Sequence, residues 1–97
     1  MGKHALKVRD TEQERQQLLD ELAADHGPRW AEQYEPGSLG CHELLDRTAL
    51  VADIVERHVR THPACVQNRE WFGLAEQAVA ALQELYQRIG ATHLDDK

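Results

Sequence analysis

Between Arg69 and Ile89 apolar side chains return with the period of an α-helix. Trp71, Phe72, Leu74, Ala75, Ala78, Val79, Leu82, Leu85, Tyr86 and Ile89 fill about half of the circumference, and Arg69, Glu76, Gln77, Glu84, Gln87 and Arg88 fill the rest. A helix with so wide an apolar arc is stable only when another element lies along it. The preceding stretch supplies one. From about 39 to 61, Leu44, Leu45, Thr48, Val51, Ala52, Ile54, Val55 and Val59 share a broad arc, opposed by Glu43, Asp46, Asp53, Arg57 and Arg60. Leu50 is the misfit, an apolar residue on the polar arc.

Turn-forming residues set the ends. Ser38 is the expected N-cap of the 39–61 helix, and Pro63 ends it, because proline lacks a backbone N–H and crowds the residue before it. Asn68 is the expected N-cap of the helix over about 69–89, with Gly90 as its left-handed stop. A weaker helix is expected over about 11–25, capped by Asp10 or Thr11 and stopped by Gly27-Pro28, with Leu18, Leu19 and Leu22 as its large apolar groups. The connector from Pro28 to Gly40, with Trp30, Tyr34 and Pro36-Gly37-Ser38, holds one short helical turn and then a loop. No segment sustains the alternation of a strand.

The fold class is therefore expected to be all-α: an antiparallel hairpin of the 39–61 and 69–89 helices plus the N-terminal helix, in a single domain over 1–97 with loose ends at 1–9 and 91–97. Each hairpin arc is wider than one neighbour covers. Either the 11–25 helix closes a three-helix bundle, or two copies pair their hairpins into a four-helix core. Burying one exposed Leu-sized side chain is worth about 1.5–3 kcal/mol, so a few uncovered ones favour the homodimer.

A chain of 97 residues with 41% hydrophobic residues can build one modest core without metals or disulfides as staples. Its net charge of −6 disfavours nucleic acid as a partner, since such binding rests on lysines and arginines neutralising phosphates. There is no apolar run of membrane-spanning length and no secretory signal, and Leu6 stands where a myristoylation signal after Met1-Gly2 needs Ser or Thr, so the expected location is the cytoplasm. Charge is unevenly spread: residues 10–25 carry six acids (Asp10, Glu12, Glu14, Asp20, Glu21, Asp25) against Arg15, whereas 57–69 carry Arg57, Arg60, Arg69, His58 and His62 without an acid. That division suits orientation of a protein partner or a second copy. In an alternative reading the acidic helix mimics a phosphate backbone and occupies a nucleic-acid-binding protein. Cys41 and Cys65 would lie about 36 Å apart on one continuous helix, far beyond disulfide reach, so free thiols in a reducing compartment are expected.

Residues 40–47 read GCHELLDR and resemble half of the zinc signature His-Glu-x-x-His, with Asp46 in place of the second histidine. His58 cannot complete the site from the same rod, because it stands about 24 Å along the axis from His42. The structural reading is plainer: Glu43 suits the positive helix start, Leu44 and Leu45 enter the core, and His42 and Asp46 pair across one turn. His58 and His62, also one turn apart, leave one metal alternative, a four-histidine site formed across a dimer axis. Cys41, near a helix N-terminus, is read as a buried, inert thiol, and Trp30 and Trp71 as core anchors. No catalytic constellation or cofactor is implied. The expected function is thus an interaction or assembly module without catalytic activity, with Trp30, Tyr34, Leu50, Asp53 and Arg57 as candidate partner-binding residues.

Overall fold

A computed structural model describes residues 10–95, and every regular element among them is helical. The fold is all-α. The chain divides into two compact units, residues 1–32 and 33–97.

The first unit holds α1, Thr11–His26. Its cap is Asp10, whose carboxylate accepts the Gln13 N–H at 3.0 Å. Glu12 in the first turn accepts two N–H bonds from Arg15, at 2.7 and 2.9 Å, and one from Gln16. These bonds, Arg15 first, hold the Glu12 carboxyl at about 2. Gly27 ends the helix at φ 92, a left-handed conformation open to glycine, and returns its N–H to the Ala23 carbonyl. No residue of α1 is buried, and Leu18 and Leu22 are exposed. A short 3-10 turn, Trp30–Tyr34, runs across the division between the units.

The second unit is the hairpin. Ser38 caps α2, Leu39–Ile54, by accepting the Cys41 N–H at 3.1 Å. The rod then departs from the α-helix expected as far as 61: Val55–Arg60 form a π-helix. Pro63 does more than end the rod, because it also opens a short helix, α3, Pro63–Val66, with His62 as the N-cap. Asn68 caps α4, Arg69–Asp95, by accepting the Trp71 N–H at 3.0 Å.

The stop expected at Gly90 is not used. Positive φ occurs at Gly27 and Gly37 among the described residues, and Gly90 continues the helix. Its lack of a side chain serves close packing instead, since a Cβ there would stand 3.7 Å from Leu45 Cδ1 on α2. Residues 91–95 are accordingly helical, while the loose ends expected at 1–9 and 96–97 lie outside the described residues.

The two long helices meet along a seam with alternating steps of three and four residues. On α4, Phe72, Ala75, Val79, Leu82, Ile89 and His93 are buried or half-buried; on α2, so are Cys41, Leu45, Thr48, Ala52 and Val55. Such spacing keeps one edge of each helix on its partner. Thr48 enters the seam with its hydroxyl satisfied, donating to the Leu44 carbonyl at 2.8 Å. The π-helix then changes the register. Its wider turn leaves Val59 47% exposed and turns Arg60 inward, with 24% of its side chain exposed. There Arg60 donates to Glu56 at 2.7 and 2.8 Å and to Glu76 at 3.0 Å, and its guanidinium carbon stands 5.1 Å from the Phe72 ring centre. The Arg60 hydrogen bonds hold the Glu56 carboxyl below its ordinary range, and Glu56 raises the Arg60 value in turn. This cluster ties the closed end of the hairpin to α4.

Two glycines in the hairpin give opposite expectations. A Cβ on Gly40 would overlap the Gln33 carbonyl oxygen and the Tyr34 ring. Gly40→Ala should therefore destabilise the protein by about 1–3 kcal/mol. Gly90→Ala meets only ordinary contact and removes backbone freedom from a helix interior, so it should stabilise by about 0.5–1 kcal/mol. Urea denaturation of both variants checks the pair; equal signs would contradict it.

Candidate functional site

The hairpin has two unlike sides. Leu44 and Val51 on α2, and Trp71, Ala78 and Leu85 on α4, each step by seven residues and so lie along one flank of the seam, and His58 on the π-helical continuation lines a groove with Trp71 on that flank. The large members of this set are uncovered: Leu44, Val51, Trp71 and Leu85 are all exposed, Trp71 at 55%, and Leu74 beside them at 57%. Toward the closed end the flank deepens into an open groove lined by His58, Val59, His62, Cys65, Trp71 and Leu74. The other side of the hairpin is polar, with a groove lined by Asp53, Glu56, Gln83 and Gln87 around Ala49, Ala52 and Tyr86. Trp71, expected as a core anchor, instead lies on the uncovered flank, because α2 covers only the inward edge of α4.

The face measures about 25 Å along the helices, at about 1.5 Å per residue, and about 20 Å across two helices, hence about 500 Å² in projection. That matches the largest apolar patches carried by ordinary monomers, which are often functional. Its composition, apolar groups with two imidazoles and a cysteine, suits burial against another apolar helix face.

The histidines in this groove are only partly available to a metal. His62 Nδ1 accepts the Ala64 N–H at 3.0 Å as the cap of α3. Neutral His62 then carries its proton on Nε2, so ligation through Nε2 would require the proton to move to Nδ1 and the cap to break. Among the described residues no three His, Cys, Asp or Glu side chains come together as a metal site.

The other sequence candidates separate into two places. Leu50, Asp53 and Arg57 share the outward face of the α2 rod; Leu50 is 58% exposed, and Asp53 and Arg57 form an exposed ion pair at 3.0 Å. Trp30, half-buried, and Tyr34, exposed, belong to the 3-10 turn. Cys41 and Cys65 are free and half-buried. No helix among the described residues is long and apolar enough to cross a membrane.

A second cluster was not anticipated. His42 does lie near Asp46, with Nε2 to Oδ2 at 3.6 Å, yet its other nitrogen faces His93, 51 positions away, with Nδ1 to Nε2 at 3.3 Å. His93 is only 7% exposed, and its Nδ1 accepts the Gly37 N–H at 2.7 Å. The signal lay in the seam: the step from Leu82 through Tyr86 and Ile89 lands on His93 once the helix is allowed past Gly90. Compared with protein-family models, with curated proteins and with solved structures, the chain matches none of them.

Proposed function

We propose that the protein is a small helical assembly module that acts as a homodimer, joining two hairpins through the apolar flank into a four-helix core. The observation that carries this reading is the second seven-residue register, with Leu44 and Val51 on α2 and Trp71 and Leu85 on α4, lying exposed beside the buried seam. Helices that carry apolar groups at a flank position as well as along one edge have two neighbours in a bundle. Within the second unit each hairpin helix finds one long neighbour; a second copy supplies two more, of matching length, at once. Two faces of about 500 Å² bury about 1,000 Å² together in projection, the size at which a biological interface begins and just below the range of standard stable complexes.

The chemistry of the face favours a protein over a nucleic acid: it is apolar, and the chain carries a charge of −6. The free cysteines suit a reducing compartment such as the cytoplasm. No catalytic role is proposed. The four-histidine alternative would require His62 from each copy to give up its backbone cap, so the interface is read as apolar rather than metal-bridged.

Sedimentation equilibrium over a micromolar concentration range, with zinc and with a chelator, tests the reading. Twice the chain mass under both conditions is the expected result. A monomer throughout would refute the dimer, and a dimer only with zinc would replace the apolar interface with the histidine site.

A further inference from the structure

We propose that Gly37, His93 and His42 form an acid-sensitive latch that holds the open end of the hairpin shut and releases it when a proton enters. The geometry fixes where the protons are. A backbone amide can only donate, so the Gly37 N–H, 2.7 Å away, requires a bare Nδ1 on His93. Neutral His93 then carries its proton on Nε2 and donates it to His42 Nδ1 at 3.3 Å, which must also be bare. The His42 proton is left on Nε2, directed at the Asp46 carboxylate 3.6 Å away. Two rings hold two protons, and each nitrogen between Gly37 and His42 has one role.

A third proton has no place in this arrangement. On His93 Nδ1 it would set N–H against the Gly37 N–H. On His42 Nδ1 it would oppose the His93 Nε2–H, and moving that hydrogen to His93 Nδ1 recreates the first conflict. A proton on His42 therefore breaks the contact between the rings, and a proton on His93 Nδ1 breaks the bond to Gly37, so the latch opens when His93 itself takes up the proton. Carboxylates border the latch on each element packed against it: Asp46 on α2, Glu35 in the connector, and Asp95 on α4, the last two lining a groove beside Pro36, Ala91 and Thr92. They attract an incoming proton. They are exposed, however, so water screens that attraction.

The sign follows from proton counting. A proton on His93 Nδ1 is incompatible with the bond from the Gly37 N–H, so the open form binds one more proton there than the closed form and acid favours it. Release acts at one end only. Gly37, held at φ 91, directly precedes the Ser38 cap, and the connector behind it packs on Gly40. At the far end Arg60 holds the Glu56 carboxyl below its ordinary range, so that ion pair is not exposed to the same proton.

The test is an NMR titration of the full chain from pH 8 to pH 5 that follows the His93 ring and the Gly37 amide together. The expected result is a shared midpoint, with protection of the Gly37 amide, corrected for intrinsic exchange, falling by up to about tenfold per pH unit below it, as one coupled proton requires. In His93→Asn the side-chain oxygen takes the position of Nδ1 and accepts without titrating, so Gly37 should become indifferent to pH. The latch is refuted if the His93 ring titrates while Gly37 is unmoved, if both stay flat to pH 5, or if Gly37 titrates unchanged in His93→Asn. Should that variant not fold, the paired readout in the unmodified chain decides alone.

Discussion

Leu45→Ala is expected to remove about 3–5 kcal/mol of stability, the largest loss from any single truncation in the hairpin. Leu45 is 4% exposed, the most buried apolar side chain among the described residues, and no side chain there is wholly shielded from water. Leu-to-Ala losses in cores run from about 2 to 5 kcal/mol, larger where the surroundings cannot close over the void. Here the wall opposite is Gly90, which has no side chain to move inward. Small domains hold about 5–15 kcal/mol in total, so thermal unfolding should shift down by about 10 °C or more. The double variant Leu45→Ala with Gly90→Ala should recover part of the loss, beyond the gain of Gly90→Ala alone, because the new methyl occupies space the leucine left. Strict additivity, or a single-variant loss below about 1 kcal/mol, would mean that the seam does not close at this point.

Trp71→Glu combined with Leu74→Glu should leave the helices formed and abolish self-association. Both side chains are more than half exposed in the single chain, so the hairpin loses little when they become charged. In the dimer each would be buried; with about half of each side chain already covered, each contributes about 0.8–1.5 kcal/mol, and the four in the two copies together correspond to a rise of about 10²–10⁴ in the dissociation constant. Leu50→Glu is the matched control: it is exposed to a similar degree but lies with Asp53 and Arg57 on the outward face. If Leu50→Glu dissociates the dimer and the Trp71/Leu74 variant does not, the contact surface is the Leu50, Asp53 and Arg57 face. Helical circular dichroism of all three proteins separates loss of association from loss of fold.

How far each feature could be read from the sequence depended on how local its physics is. The Ser38 and Asn68 caps were legible because a cap is decided within four residues, and the all-α class was legible because apolar periodicity survives in every helix context. Gly90 was misread because glycine marks a helix end only when the chain takes positive φ there, and that depends on whether a seam beyond it has something to bind. His93 supplied that reason, and nothing near it in the chain announces its pairing with His42 and Gly37. Trp71 was misread on similar grounds: the width of an apolar arc gives how much must be covered, while the number of helices available in one chain sets how much is. The function remains a proposal drawn from that shortfall in cover.

The π-helix at 55–60 makes the closing turn depend on residue count as well as residue identity. Winding these six residues as an α-helix at the same length would rotate everything after them by about 100° relative to α2, because the π segment takes up about one residue more over the same sweep. Val59 would swing back toward the seam, and Arg60 would leave Phe72 and Glu76. The loop carrying His62 and α3 would then leave the rod in a different direction, so the hairpin's reversal rests on the phase offset that the one extra residue of the π segment supplies.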